Sequence, residues 1–196
     1  GLGGAVNNSQ LQKSICCITD EFSAVSCLET IKQGFEVKLL ICYETREDLI
    51  HLVKIIDKIL PRMLRSEIEL EFHKISKFGK NSEDVLSKNS LITDIQIRSA
   101  KEKKISYISL TISPLIFPSV YVETLQKRVF NAGLVPHISL SGIDSEIIKN
   151  AKEIGMEKYI SKIEKFATTN FTKSKPKPHK KEKTSKKIIK VRLGPN

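Results

Sequence analysis

The chain has 196 residues, 40% of them hydrophobic and 28% charged, with a net charge of +11. That length holds one domain with a real core plus an appendage. No apolar run approaches the roughly 18 to 20 residues needed to span a bilayer, and Gly1 to Gln10 lack the charge and apolar stretch of a signal peptide, so a cytoplasmic protein with no membrane partner is expected.

The first expected element is Lys13-Ser-Ile-Cys-Cys-Ile18, an apolar run without alternation, as in a strand buried on both faces of a parallel sheet. Its adjacent Cys16 and Cys17 point to opposite faces of such a strand. With Cys27 and Cys42 they are read as small core hydrophobes, because no C-x-x-C spacing suggests a zinc site or a redox pair. Ala24 to Gln33 reads as a helix stopped by Gly34, and Glu36 to Tyr43 repeats the buried-strand pattern. From Thr45 to Leu60 the apolar residues Leu49, Leu52, Val53, Ile56, Ile59 and Leu60 recur at helical spacing, with Thr45 as N-cap and Pro61 as the stop. Ile68, Leu70 and Phe72 alternate with acids, as in a strand with one wetter face. Asn81 to Lys104 is polar but periodic and is expected to be helical. A strand (Ile105 to Leu110), a helix (Val120 to Ala132, stopped by Gly133), a strand (Leu134 to Ile138) and a helix (Asp144 to Ile154, ending at Gly155) follow. Alternation of this kind predicts a doubly wound, mostly parallel five-stranded α/β sheet with helices on both faces.

Beyond Lys165 the pattern stops. Thr172 to Asn196 holds nine Lys and one Arg against the single acid Glu182, which is +9 of the total, so the rest of the chain is nearly neutral. The expected division is an α/β domain over residues 1–166 and an extended lysine-rich tail over residues 167–196. Thr172 to Lys187 cannot bury a core. Ile188-Ile-Lys-Val-Arg-Leu193 alternates apolar and basic residues, as a short edge strand or a segment lying on a partner does. Lysines interleaved with Pro and nearly free of acids suit phosphate contacts along RNA. The candidate RNA-binding residues are Lys173, Lys175, Lys177, Lys180, Lys181, Lys183, Lys186, Lys187, Lys190 and Arg192.

Three segments carry a family likeness: Gly1-Leu-Gly-Gly-Ala-Val6 before Lys13 and the first strand, Lys32-Gln-Gly-Phe-Glu-Val37, and Asp144-Ser-Glu-Ile-Ile-Lys-Asn-Ala-Lys-Glu-Ile-Gly155. In order and spacing they resemble the G-x-G-G entry, the K-R-G-[FY]-E-V segment and the D-K-x-E-I-I-x-x-A-x-x-I-G helix of the PP-loop adenylating domain of tRNA 4-thiouridine synthases, the ThiI sulfurtransferases. The likeness covers about residues 1–165. It implies an ATP-binding loop of the form S-G-G-[IF]-D-S after the first strand, whose glycines let backbone N–H groups approach the pyrophosphate.

The sequence departs from that implied chemistry at each point. The loop reads Thr19-Asp20-Glu21-Phe22-Ser23-Ala24, with both glycines replaced by carboxylates that repel pyrophosphate. The family's G-[DE]-S-L-G-Q-V-A-S-Q-T loop corresponds to Pro114-Leu-Ile-Phe-Pro-Ser-Val-Tyr-Val-Glu-Thr124, with Ser119 at its Gln and Val122 at its Ser. The sulfur-carrying Cys of some members would fall near Ala167, and the RNA-binding THUMP domain has no counterpart. Residues 19–24 are therefore read as a vestigial nucleotide loop, with no catalytic residue, cofactor or metal expected.

Other constellations are weaker. His51, His73, His137 and His179 are scattered, without H-x-x-x-H or G-x-S-x-G spacing. Glu44, Glu47 and Asp48 suit the dipole of the helix they precede, and Asp20 with Glu21 lacks a third ligand for a cation. The expectation is a catalytically inactive relative of the thiouridine synthase domain that binds RNA as a structural protein, with ribosomal RNA and the neighbouring proteins of a ribonucleoprotein particle favoured as partners. The competing expectation is a divergent tRNA 4-thiouridine synthase working with a separate THUMP or sulfur-donor partner.

Overall fold

A computed structural model of the chain describes residues 11–63, 67–111, 119–140, 149, 151–153, 155–157, 160–161 and 185–192. The elements run β1 (Lys13–Ile18), α1 (Glu21–Lys32), β2 (Glu36–Tyr43), α2 (Arg46–Ile59), β3 (Glu67–Lys74), α3 (Ser82–Lys103), β4 (Tyr107–Thr111), α4 (Ser119–Asn131), β5 (Val135–Leu140) and β6 (Ser185–Arg192). They form one sheet in the order β5-β4-β1-β2-β3-β6. The first five strands pair in parallel, and β6 adds to β3 antiparallel.

The strands are buried for the reason their composition gives. β1 and β2 carry apolar side chains on both faces, and Ile15, Ile18, Leu39, Leu40 and Ile41 are almost entirely covered; each contributes roughly 1.5–3 kcal/mol of hydrophobic stabilisation. One face packs against α1, α2 and the buried Ala151 and Met156. The other packs against α3 and α4 through Ile92, Ile95, Leu125 and Val129. Cys16 belongs to the first layer and Cys17 to the second, as alternation along β1 requires.

Local signals set the boundaries. Thr45 caps α2, its hydroxyl accepting from Asp48 N at 3.1 Å, and Pro61 lies in the short 3-10 turn Leu60–Arg62 that closes the helix. Gly34 and Gly133 turn the chain at φ +96° and +79° after α1 and α4, a conformation that suits residues without a Cβ. Helix α1 begins at Glu21, three residues before the expected Ala24, because Asp20 caps it. The expected helix 144–154 lies mostly outside the described residues.

The sheet has six strands rather than five, and the sixth comes from the basic tail. Ile189 and Val191 face Leu70 and Ile68 across the β3–β6 ladder, while Lys190 faces Glu69 and Lys186 faces His73. The acid and apolar alternation of β3 meets the complementary alternation of β6. Cross-strand pairs of this kind, together with the backbone groups of an otherwise open edge, account for the pairing.

Candidate nucleotide loop and basic strand

Doubly wound sheets take ligands beyond the carboxyl ends of their strands, where the strand order reverses. Here that point lies between β1 and β4. The loop following β1 is residues 19–20, and its hydrogen bonds close on themselves. Ser23 N–H donates to Asp20 Oδ1 at 2.8 Å, while Thr19 N–H and Asp20 N–H both donate to Ser23 Oγ, at 2.8 and 3.1 Å. Asp20 is thus the N-cap of α1 and Ser23 its partner at N3, a capping box. The backbone donors of Thr19, Asp20 and Ser23 are held by two side chains of the same loop, so an incoming phosphate would have to displace them. Phe22 and Ala24 are buried in the core beneath.

Beside the loop is a cleft of about 290 Å³ lined by Thr19, Asp20, Glu21, Glu44, Thr45, Asp48, His51 and Lys88. Four of those side chains are carboxylates. Glu21 Oε1 lies 2.5 Å from His51 Nε2, Glu44 pairs with Lys88 at 2.8 Å, and Asp48 Oδ2 accepts from Glu44 N at 3.0 Å. Among the described residues no group of three His, Cys, Asp or Glu could hold a metal ion.

The crevice at the switch point is filled from within. β1 and β4 pair only at Ser14 with Tyr107 and Ile15 with Ile108. Where they part, Gln96 of α3 donates through Nε2 to Ile15 O at 3.0 Å and Ser109 O at 2.9 Å. Ser14 Oγ and Ser109 Oγ are 2.6 Å apart. The remaining cavity, lined by Cys17, Thr19, Ser23, Gln96 and Thr111 among others, is about 30 Å³. Space of that size holds a water or two, whereas small-molecule sites run to several hundred Å³.

The ten basic tail residues divide. Lys186, Lys187, Lys190 and Arg192 lie on β6, and Lys173, Lys175, Lys177, Lys180, Lys181 and Lys183 lie outside the described residues. Lys186 is committed within the molecule: its Nζ is 3.0 Å from Glu71 and 3.1 Å from Glu102. Glu71, only 1% exposed, also accepts from His73 Nε2 at 2.8 Å and Lys103 Nζ at 3.2 Å. Burial alone would raise this carboxyl, but the hydrogen bonds from His73 and Lys186, joined by Lys103, win and hold it down to about 2. Lys187 and Lys190 are exposed.

Several groups escape sequence reasoning. Gln96 lies on the inward stripe Ile92, Ile95, Gln96, Ser99, so a polar residue at a core position of a helix was the available signal. The Glu71 cluster depends on the β3–β6 register and left none. His137, packed against the Phe35 ring at 4.7 Å, has a buried Nδ1 without a hydrogen-bond partner among the described residues. Of the segment 114–124 read as a loop, residues 119–124 instead open α4, where Val122 packs against the second core layer, and 114–118 lie outside the described residues, as do Ala167 and His179.

An open α/β sheet with its first strand at the switch point and helices on both faces defines a doubly wound domain. Among solved structures it is similar to a 4-thiouridine synthetase in complex with RNA and with bound ATP, with a TM-score of 0.55 and 12% identity. The match covers 80% of this chain and 50% of that one, so the chain spans about half the length of that protein. PH1313 of Pyrococcus horikoshii matches at 18% identity over 72% of this chain and 40% of its own, with a TM-score of 0.44. No family model and no curated protein matches. The likeness to the 4-thiouridine synthetase, at 12% identity, shows a shared fold over the matched half of that protein and nothing beyond the fold. Among the described residues no helix is long and apolar enough to cross a membrane.

Proposed function

We propose that the chain is an RNA-binding protein on a thiouridine-synthetase-like fold whose nucleotide loop no longer takes ATP. In this reading it is a structural component of a ribonucleoprotein particle in the cytoplasm, with ribosomal RNA as the favoured partner. Residues 1–166 supply the folded body. The segment 167–196 supplies cations for phosphates, and its last strand is anchored on the body by β3.

One contrast carries the reading. The amides around the loop after β1 are held by Asp20 and Ser23, beside a cleft with four carboxylates, while +9 of the +11 charge lies in residues 172–196. Placing a pyrophosphate among desolvated carboxylates costs kilocalories. A lysine-rich segment gains by releasing counterions from a nucleic-acid backbone.

The competing reading, a divergent tRNA 4-thiouridine synthase with partner chains, draws on the fold of the ATP-bound synthetase. Two measurements separate them. Isothermal titration should find no micromolar ATP binding, and no pyrophosphate should be released with tRNA present; either signal overturns the inactive reading. Replacing Lys173, Lys175, Lys177, Lys180, Lys181 and Lys183 by Gln, with β6 intact, should weaken RNA binding at least tenfold near 0.1 M salt. It should also reduce the log–log salt slope by roughly 0.7 per lost contact, and an unchanged slope removes the tail from the interface. Cosedimentation with ribosomes that survives moderate salt is expected for a particle component and not for a free tRNA-handling enzyme.

A further inference from the structure

We propose that Lys74, Lys77, Lys80 and Lys187 form a phosphate-binding corner that carries the RNA track of the tail onto the folded body. The proposal rests on the RNA-binding reading above and names the surface of the body that RNA would meet.

The β3–β6 register brings Lys74 and Lys187 together, and the chain carries Lys77 and Lys80 on from Lys74. Ser185 lies opposite Lys74 and Lys187 opposite Phe72. Side chains two apart on a strand share a face, so Lys74 and Lys187 are diagonal neighbours at roughly 7–8 Å. Lys77 and Lys80 follow in the connection between β3 and α3, at the carboxyl end of the same strand. The tail joins this corner covalently at Ser185, two residues after Lys183 in the sequence.

Their electrostatic state separates them from the lysines nearest in the fold. Lys88 is paired with Glu44, Lys103 with Glu71, and Lys186 with Glu71 and Glu102. Lys74, Lys77, Lys80 and Lys187 are exposed, and no acid among the described residues pairs with them. The next acids along the chain, Glu83 and Asp84, belong to the first turn of α3, where its dipole favours them; the Asp84 carboxylate lies against Gly79, so one acid stands beside the corner. Unpaired like charges gathered at one point repel in the free protein, and that repulsion is relieved when a polyanion replaces small counterions. The spacing of three residues between the exposed lysines suits contacts to successive backbone phosphates without base readout.

The test uses the full chain with Lys74→Gln, Lys77→Gln and Lys80→Gln together. A control carries Lys54→Gln, Lys101→Gln and Lys127→Gln, exposed lysines on other elements that remove equal charge. Binding to a labelled ribosomal RNA fragment and to a uridine homopolymer is measured from about 50 to 200 mM salt. The corner variant should lose about tenfold in affinity near 0.1 M salt and about two from the salt slope, at 0.7 per contact. The control should stay within about twofold of the parent, and both variants should melt as the parent does. A corner variant that behaves as the control, while the six-lysine tail variant loses affinity, overturns the corner and leaves the tail reading standing. A parent protein that binds neither RNA overturns both.

Discussion

Glu71 sits almost wholly buried between His73, Lys103 and Lys186, which ties its charge to the acid stability of the fold. Its carboxyl is lowered from an ordinary 4.5 to about 2. A depressed folded value means the stabilisation is present above about pH 4.5 and is lost as pH falls from there toward 2. The difference is worth about 3 kcal/mol at neutral pH. Denaturant melts from pH 6 to 3 should record about 2 kcal/mol of that loss, and Glu71→Gln should flatten the profile while costing on the order of 3 kcal/mol at pH 7, with Lys186 still held by Glu102. Gln96 offers a second test at this scale. Gln96→Leu strips the side-chain donor from Ile15 O and Ser109 O and should cost about 1–3 kcal/mol per orphaned carbonyl. Lys104 caps α3 at φ +55°, the left-handed region, so Lys104→Gly should raise stability by about 1 kcal/mol. The four cysteines are buried free thiols, and Cys17, with Cys42 Sγ at 3.1 Å, is pushed well above its ordinary value, chiefly by burial. In the folded protein they should resist a thiol reagent that labels them all after denaturation.

Helices and parallel strands were legible because period and composition report burial locally. Val37, Leu39, Leu40 and Ile41 can only be a doubly covered strand, and Thr45 with Pro61 brackets α2 from within the sequence. The loop at residues 19–24 was legible in composition and not in geometry. That its acids repel a phosphate follows from their charge, but that Asp20 becomes a cap depends on Ser23 standing three residues later. Ser23→Ala should remove the acceptor for Thr19 and Asp20 N–H and cost about 1 kcal/mol, without creating ATP binding. For Ile188 to Arg192, alternation announced an extended segment, but its partner lay more than a hundred residues upstream and only the register with β3 reveals it. The Glu71 cluster was invisible for the same reason, since it assembles from β3, α3 and β6.

At the scale of the molecule, charge is divided between a nearly balanced body and a cationic C-terminal stretch, and β6 belongs to both. Removing residues 185–196 should lower the melting temperature by several degrees, because Ile68, Leu70 and Glu71 lose their cross-strand cover. Exchanging 172–183 for a Gly/Ser linker should leave the melt unchanged. The outcome to watch is a linker variant that melts early, which would make that segment part of the fold. β6 also has a consequence in time. Synthesis runs from the amino terminus, so β1 to β3 leave the ribosome before residues 185–192 exist. During that interval the far side of β3 is an open template flanked by Ile68, Leu70 and Phe72, the kind of edge that recruits other nascent chains. A chain that ends before residue 185 would therefore yield a sticky intermediate, and a ribosome-bound chain stalled there should associate with chaperones until the last strand is made.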